Sequence, residues 1–287
     1  MKILLIGANG QLGTDLCRVL AERGDDVVAL TYPEFDIRNG EQVRCALDSA
    51  APEVVINTSA YHKVEECEEH PDIAFDVNAL AVRAISLECE RRGCVLVHFS
   101  TDYVFDGRKG SAYSECDRPE PLNVYGVSKL AGEHLIAFNT ERYFIVRTSG
   151  LYGLAGAAGK GGNFVENMLK RAVSGGVLRV VHDQVLTPTY TVDLARKVSE
   201  LIRTDAYGMY HITNEGACSW YEFTVKILEL EAVNVTVLPV ETKDFPSPVK
   251  RPAYSVLLKD RLHSAGLGTT PIWTDALGRY LRSRLRC

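Results

Sequence analysis

Short apolar runs alternate along the first half of the chain with segments whose apolar residues recur at helical spacing. The runs predict β-strands at residues 2–6, 26–30, 54–57, 95–100 and 143–148. The helical spacing predicts helices at residues 12–23, 40–49, 73–92 and 124–139. Most of the strands are continuously apolar, which is typical of strands that helices cover on both faces. The alternation therefore predicts an α/β fold with a doubly wound parallel sheet.

The pattern becomes less regular after residue 148. Residues 153–162 contain five glycines and are predicted to form a mobile loop. Further helices are predicted at 163–174, 219–229 and 274–286, further strands at 178–181 and 208–213, and an ordered proline-rich loop at 245–252. We therefore predict a first domain over residues 1–150, with later returns near 175–182 and 195–213. A smaller mixed α/β domain should occupy most of residues 151–287.

A glycine-rich turn follows the first predicted strand and opens the first predicted helix. Gly7, Gly10 and Gly13 give it a G-x-x-G-x-x-G spacing. Glycine is needed where the chain turns tightly and approaches a pyrophosphate, while the helix N-terminus offers unpaired N–H donors and a positive dipole end. Strand, turn and helix in this order favour a Rossmann-like dinucleotide-binding site over a merely tight turn.

The end of the second predicted strand bears on the choice of cofactor. Dinucleotide-binding folds place an acid there to hold a ribose 2′-hydroxyl, or an arginine nearby to hold a 2′-phosphate. This chain has Leu30, Thr31 and Tyr32 at that point. NADH and NADPH therefore both stay open as cofactors.

Tyr125 and Lys129 form a Y-x-x-x-K pair at the start of the predicted helix 124–139. This spacing stacks both side chains on one helix face, where an ammonium favours the ionised phenol and makes tyrosine a useful acid or base. Alone, such a pair is usually just a solvated helix face. The preceding strand, however, ends at Ser100 and Thr101, which puts hydroxyls at the sheet edge where ligands of such folds bind. We therefore predict Thr101, Tyr125 and Lys129 as catalytic residues.

These motifs resemble those of the extended short-chain dehydrogenases/reductases and, more narrowly, of the dTDP-4-dehydrorhamnose reductase family. The likeness covers nearly the whole chain and continues through residues 57–60, 76–78, 147–149, 162–164, 183–184, 187–189 and 251–252. The resemblance implies a Rossmann-like sheet with a smaller substrate-binding domain. It also implies NADPH- or NADH-dependent reduction of the C4 ketone of a nucleotide-activated 6-deoxy sugar, with dTDP-4-dehydro-L-rhamnose as the expected substrate and dTDP-L-rhamnose as the product.

The resemblance also implies roles for individual residues. Tyr125 would protonate the C4 ketone oxygen as the nicotinamide delivers hydride, Lys129 would hold the nicotinamide ribose, and Thr101 would orient the carbonyl. Besides Tyr125 and Lys129, the cofactor-lining positions are Gly7, Gly10, Gln11, Leu12, Gly13, Asp36, Ile37, Ala60, Tyr61 and His62. The substrate-contacting positions are Thr101, Asp102, Asn163 and Arg251.

Two of these features leave alternatives open. Arg251 could clamp a diphosphate bidentately, although a surface salt bridge would also explain it. Gly150 stands where the family pattern has a tryptophan that packs on the sugar. The missing ring leaves the identity of the sugar open.

Composition and charge narrow the classes of function. A net charge of −5 and a pI near 5.9 argue against nucleic-acid binding, which requires lysines and arginines to neutralise many phosphates. No apolar stretch reaches the ~20 residues that span a bilayer, and no signal peptide is evident, so we expect no membrane partner and a cytoplasmic protein. The eight cysteines are scattered without a C-x-x-C pair and are expected to be reduced thiols.

The remaining candidate features carry weaker expectations. The seven histidines form no recognisable ligand set, so no metal site is predicted. Some relatives use magnesium, so a requirement for magnesium is left open, although no site for it can be identified in the sequence. Whether the chain forms a homodimer is also left open. Trp220 and Trp273 are expected to anchor the core of the second domain.

Two other functions compete with the reductase. A sugar-nucleotide epimerase or dehydratase would recycle a tightly held NAD, whereas a regulatory subunit would bind a dinucleotide without catalysis. The intact set of Thr101, Tyr125 and Lys129 argues against the second of these.

Overall fold

Alternate residues of the first strand point into two separate cores, which is why a helical layer forms on each face of the sheet. In the computed structural model, which describes residues 1–156, 162–245 and 247–285, Ile3 and Leu5 join one buried cluster while Leu4 and Ile6 join another. Successive side chains of a strand point to opposite faces, so a continuously apolar strand needs cover on both sides. The doubly wound sheet predicted from the sequence is confirmed.

Six parallel strands form this central sheet in the described ranges. They are β1 (Lys2–Ile6), β2 (Asp26–Leu30), β3 (Val54–Asn57), β4 (Val95–Thr101), β5 (Tyr143–Thr148) and β10 (Gly208–His211). Their order across the sheet is β10-β5-β4-β3-β1-β2. The chain runs outward from β1 to β2 and then returns to β3 on the other side. Folds of this kind bind ligands at such a reversal point, beyond the carboxyl ends of the strands.

Helices pack on both faces of the sheet. They are α1 (Gln11–Glu22), α2 (Gly40–Ala50), α3 (Val64–Glu69), α4 (Pro71–Phe75), α5 (Ala81–Arg92), α6 (Val124–Asn139) and α8 (Thr191–Leu201). The helices α1 and α8 contribute apolar side chains to the core beneath Ile3 and Leu5, while α2 and α5 cover the opposite face. The apolar face of each of these helices therefore packs on an apolar face of the sheet.

The single helix predicted over residues 73–92 is interrupted. A π-helical turn, Asp76–Leu80, separates α4 from α5. It contains Asn78, which is fully buried; its side-chain amide donates to the Tyr61 carbonyl at 2.9 Å and its Oδ1 accepts from the Tyr61 N–H at 2.9 Å. The turn holds this side chain against the segment that follows β3. Single π-turns are frequent at functional sites.

The later part of the chain builds a second core. Its elements are β6 (Leu151–Tyr152), α7 (Phe164–Val173), β7 (Leu178–Val181), β8 (Val185–Leu186), β9 (Thr189–Tyr190), β11 (Cys218–Ser219), α9 (Trp220–Leu230), β12 (Val237–Val240) and α11 (Trp273–Arg284). Of these, α7, α9 and α11 surround a cluster rich in aromatic rings. The short helix α10 (Asp260–Ser264) instead packs Leu262 into the first core.

Two later segments were predicted to return to the first domain, and they differ in where the structure places them. Residues 195–213 do return, because α8 packs on α1 and β10 pairs with β5. The return near residues 175–182 is wrong for β7, which pairs with β12 and buries Leu178 and Val180 in the second core. A short apolar run does not reveal which sheet it will join.

Some predicted segments include residues outside the described ranges. The predicted glycine-rich loop includes residues 157–161, and the proline-rich loop includes Pro246, all of which lie outside them. The helix predicted to end at residue 286 ends at Arg284 in α11. Among the residues that are described, no helix combines the length and apolarity that crossing a membrane requires.

Candidate active site

The glycines of the first turn are required by close backbone approach. Gly7 has φ +80°, and a Cβ there would lie 2.6 Å from Oγ1 of Thr58. That hydroxyl donates to the carbonyl oxygens of Ile6, at 2.8 Å, and Gly7, at 3.0 Å. A Cβ at Gly13 would lie 2.2 Å from the Gly7 carbonyl oxygen. The spacing therefore lets α1 pack directly against the turn and aim its N-terminus at the sheet edge.

The N-terminus of α1 is suited to an anion. Gly10 caps the helix without a side-chain hydrogen bond, and no acidic residue stands in the first turn. Nearby, the side-chain carbonyl of Gln11 is buried without a hydrogen-bond partner among the described residues. Free helix N–H groups with a positive dipole end favour a phosphate. The residues predicted to hold the cofactor pyrophosphate therefore fit one.

Thr101 and Tyr125 meet at the carboxyl edge of the sheet. Thr101 ends β4 and is buried, and its hydroxyl lies near the phenol of half-buried Tyr125 in the first turn of α6. Tyr103 places its ring edge-on to that of Tyr125, with centroids 6.0 Å apart. Burial and the nearby Asp102 raise the pKa of Tyr125, while the neighbouring Thr101 hydroxyl opposes the shift. In the unliganded protein Tyr125 is therefore a neutral phenol that can donate a proton.

Lys129 lies one turn further along α6 and is almost completely buried. Its Nζ is 2.9 Å from Nε2 of His98, a buried residue in the middle of β4. Burial lowers the pKa of Lys129 to about 7, against the opposing charge of Glu133. The predicted Tyr125 and Lys129 thus share one end of α6, and His98 is an additional partner that the motif did not reveal.

Asp102 follows Thr101 and is held entirely within the protein. Its Oδ2 accepts hydrogen bonds from Ser149 at 3.0 Å and Ser255 at 2.6 Å. Its Oδ1 accepts from the Thr101 hydroxyl at 3.2 Å. Burial raises its pKa to about 6 in spite of these donors. Asp102 therefore fixes three hydroxyls around the site, and its predicted contact with the sugar stays a prediction.

A cleft of about 440 Å³ opens between the sheet edge and the second core. Its lining includes Tyr103, Arg179 and Arg251, together with the ring pair Phe164 and Trp220, whose centroids are 4.4 Å apart. Trp220 was expected only to anchor the core; it is partly buried there and also forms a wall of this cleft. An aromatic wall beside guanidinium groups suits a base that carries phosphates.

The two predicted substrate residues of the second domain differ in their surroundings. Arg251 lines the cleft, donating to the Ser247 hydroxyl at 2.8 Å and pairing with Glu65. Asn163 is buried at the start of α7, where its side-chain amide donates to the Gly153 carbonyl at 2.8 Å and its Oδ1 accepts from the Glu166 N–H at 3.0 Å. Because these bonds occupy both ends of its amide, substrate contact by Asn163 stays a prediction.

The position of the missing tryptophan has no room for a ring. Gly150 has φ +55°, and a Cβ there would lie 2.8 Å from the Leu186 side chain and 3.1 Å from Cα of Pro188. With this backbone, any larger residue would be strained. The aromatic wall of the cleft is supplied instead by Phe164 and Trp220.

The end of β2 is more charged than the local sequence suggested. Thr31 donates its hydroxyl to Glu34 at 3.0 Å. Asp36, a predicted cofactor residue, accepts from the Arg38 guanidinium at 2.6 Å, and Ile37 is buried between them. The fold thus brings two carboxylates and one guanidinium close to a strand end whose own residues carry neither group.

The remaining predicted cofactor residues follow β3. Ala60, Tyr61 and His62 are half-buried, and Asn78 fixes the backbone of Tyr61. Asn78 also packs against α6, since a Cβ at Gly132 would lie 2.3 Å from its carbonyl oxygen. A polar residue on an otherwise apolar helix face was the signal that could have identified Asn78.

Metal ligands are not grouped in the part of the chain that the structure describes. No three His, Cys, Asp or Glu side chains there are close enough together to hold an ion. The open expectation of magnesium gains no support. The described cysteines are all free thiols.

Known proteins resemble this chain over its whole length. The family model described as RmlD substrate binding domain matches residues 1–285. The spore coat polysaccharide biosynthesis protein SpsK of Bacillus subtilis (strain 168) is 41% identical over 283 residues, covering 99% of this chain and 98% of that protein. A dTDP-4-dehydrorhamnose reductase of Aggregatibacter actinomycetemcomitans is 38% identical over 291 residues, covering 96% and 97%. The crystal structure of a dTDP-4-dehydrorhamnose reductase from Bacillus anthracis in complex with NADP matches with a TM-score of 0.93 and 38% identity, covering 99% of this chain and 100% of that one.

Proposed function

The chain belongs to the RmlD substrate-binding domain family, and from this membership we propose that it reduces the C4 ketone of a dTDP-linked 6-deoxy sugar. It is an NAD(P)-dependent oxidoreductase, as relatives named dTDP-4-dehydrorhamnose reductase and an NADP-bound homologous structure indicate. The proposed substrate is dTDP-4-dehydro-L-rhamnose and the proposed product dTDP-L-rhamnose.

The observation that carries the proposal is the closeness of the Thr101 hydroxyl to the Tyr125 phenol at the carboxyl edge of the sheet. The end of β4 supplies one hydroxyl and the first turn of α6 supplies the other. A carbonyl oxygen that accepts from both hydroxyls would be polarised and oriented together. This arrangement supports ketone reduction.

The residues divide the chemistry between them. The nicotinamide, when bound, supplies the hydride that the C4 carbon accepts. Tyr125 donates its phenolic proton to the ketone oxygen, so that the carbonyl becomes a secondary alcohol and Tyr125 becomes a phenolate. Thr101 holds the oxygen in line with that proton. A positive charge at Lys129 would stabilise the phenolate until it recovers a proton from solvent.

The cleft supports a nucleoside diphosphate on the substrate side. Arg171 and Arg179 are exposed on its wall and make no ion pair with a described acid, and Arg251 lines the same cleft. A diphosphate is recognised by guanidinium groups, while the rings of Phe164 and Trp220 offer apolar surface to a pyrimidine base. These features support recognition of the dTDP part of the substrate. The sugar part is proposed to bind near Asp102.

The test is a substrate panel. Oxidation of NADH and NADPH is followed with dTDP-, GDP- and UDP-linked 4-keto-6-deoxy sugars, with Tyr125→Phe as the control. We expect stoichiometric cofactor oxidation with a dTDP-4-keto sugar and formation of the 4-hydroxy product. Purified protein that carries oxidised cofactor and converts the sugar without net NAD(P)H consumption would instead identify an epimerase or dehydratase.

A further inference from the structure

A chain of buried polar groups leads away from Lys129 into the sheet. Lys129 Nζ is 2.9 Å from His98 Nε2, and His98 Nδ1 is 3.3 Å from Asn57 Nδ2. All three residues are at most 1% exposed. The ketone reduction described above uses Lys129 and assigns nothing to His98 or Asn57. Polar side chains inside continuously apolar strands are costly unless each hydrogen bond is made, so the directions of these bonds matter.

The orientation of the Asn57 amide is fixed by the backbone. Its Oδ1 accepts from the N–H of Ser59 at 3.0 Å. A backbone N–H can only donate, so the oxygen must face it and the NH₂ group must face His98. His98 Nδ1 is therefore the acceptor in its contact with Asn57.

The same reasoning passes along the ring to Lys129. A neutral imidazole with an accepting Nδ1 carries its hydrogen on Nε2. That N–H donates toward Lys129, which can accept only as a neutral amine. If Nζ were an ammonium, its N–H groups and the His98 Nε2–H would both be donors, and no hydrogen bond could form between them. Burial holds the pKa of His98 well below its ordinary value, which removes a doubly protonated ring from consideration.

The other titratable groups around Lys129 either form an ion pair or have pKa values that differ from that of Lys129. Glu133, one turn further along α6, forms a two-point ion pair with Arg147 of β5, at 2.9 and 2.6 Å. Asp102 titrates near a pKa of about 6 and is bonded to serine hydroxyls. Tyr125 stays a neutral phenol, since burial raises its pKa. Lys129, whose pKa burial lowers to about 7, is thus a group near the proposed cofactor site that changes charge close to neutral pH.

We propose that Asn57 and His98 hold Lys129 as a neutral amine in the free protein, and that the protein takes up a proton at Lys129 when the nicotinamide cofactor binds. The inference rests on the proposed function, because the phenolate that Tyr125 becomes needs a neighbouring cation. A neutral Lys129 cannot stabilise that phenolate. The missing proton must therefore enter from solvent as the cofactor, with its negative phosphates, occupies the site. His98 and Asn57 are positioning residues in this scheme.

The ring state of His98 can be measured directly in the free protein. In a ¹⁵N-histidine-labelled sample, long-range nitrogen–proton correlations should show His98 with its hydrogen on Nε2. His211 is an internal control of the opposite kind: it is fully buried, and its Nδ1 lies 3.0 Å from the Leu258 carbonyl oxygen, which can only accept. Assignment uses His98→Gln and His211→Gln spectra. A hydrogen on Nδ1 of His98 would overturn the proposal.

Proton uptake is measured by titration calorimetry of NADH in buffers of differing ionisation enthalpy. NADH is the preferred probe because it lacks the titrating 2′-phosphate. With a free Lys129 pKa of about 7, we expect uptake close to one proton at about pH 8, falling toward zero below about pH 6. NADH binding at about pH 8 without uptake overturns the inference and leaves the reductase intact. If neither NADH nor NADPH binds, the proposed function itself fails.

A single atom change tests whether the polar chain sets this uptake. In Asn57→Asp, a carboxylate accepts from His98 Nδ1, so Nε2 becomes an acceptor and Lys129 is already an ammonium. Uptake at about pH 8 should fall at least severalfold. Asn39→Asp is the control for the added charge, since Asn39 is an exposed N-cap of α2 whose side chain accepts from two backbone N–H groups, a role in which Asp also caps well. Equal uptake in wild type and Asn57→Asp would overturn the role of the polar chain. Should Asn57→Asp not fold, the ring state of His98 decides.

Discussion

The proposed cofactor side and the proposed substrate side of the site are built in different ways. On the cofactor side, one continuous segment from Gly7 to Gly13 provides the turn, the close packing and the helix N-terminus. On the substrate side, the cleft takes single side chains from widely separated segments: Tyr103, Phe164, Arg179, Trp220 and Arg251. The first side depends on backbone geometry and tolerates little change, whereas the second depends on side chains that can be exchanged one at a time.

The largest effect is expected at the residue where the two sides meet. Tyr125→Phe should lower kcat by about 10²–10⁴-fold, because it removes the proton donor and little apolar contact. The cofactor dissociation constant, measured by fluorescence titration, should stay within about threefold of wild type. Turnover close to that of wild type would mean that another group protonates the ketone oxygen.

The cofactor side should break as a unit when its backbone packing is disturbed. Gly13→Ala places a Cβ 2.2 Å from the Gly7 carbonyl oxygen, which should cost about 1–3 kcal/mol of stability and displace the turn. NAD(P)H affinity should fall together with the denaturant midpoint. Gly40→Ala in α2 is the control, because its Cβ would meet nothing within 4 Å. Unchanged affinity in Gly13→Ala would show that the turn adapts.

The substrate side should lose affinity without losing the cofactor. Arg179→Ala removes an exposed cation from the cleft wall and should raise KM for the nucleotide sugar by about tenfold, with kcat nearly unchanged. Arg118→Ala provides the comparison, since that side chain is 88% exposed and forms only a 3.8 Å ion pair with Glu120. Equal KM values in the two variants would place the diphosphate elsewhere in the cleft.

The smallest effect concerns cofactor preference at the end of β2. Glu34→Gln removes a carboxylate beside Thr31, so it should favour NADPH over NADH by about two- to fivefold, because exposed charges interact weakly in water. Conversely, Thr31→Asp should penalise NADPH. The ratio of kcat/KM for the two cofactors is the measurement. No change in either variant would mean that another residue, with Arg38 as the first candidate, reads the 2′ position.

Much of the fold followed from local pattern. The strand bounds 2–6, 26–30, 54–57 and 143–148 match the structure, and the family and the NAD(P)-dependent chemistry are confirmed by the comparisons. The individual cofactor and substrate residues stay predictions. Errors arose where long-range contacts override pattern, as in the π-helical turn that Asn78 occupies and in the pairing of β7 with β12.

The sequence by itself determined the features that depend on neighbours in the chain. The glycine spacing, the Y-x-x-x-K pair and the buried strands each reflect a geometry that a few consecutive residues set. Only the tertiary structure decided which polar groups meet. It brought Lys129 of α6 to His98 of β4 and Asn57 of β3, and it brought Trp220 to the cleft. Hydrogen bonds and pKa values depend on distance and burial in space, and separation along the chain carries almost no information about either.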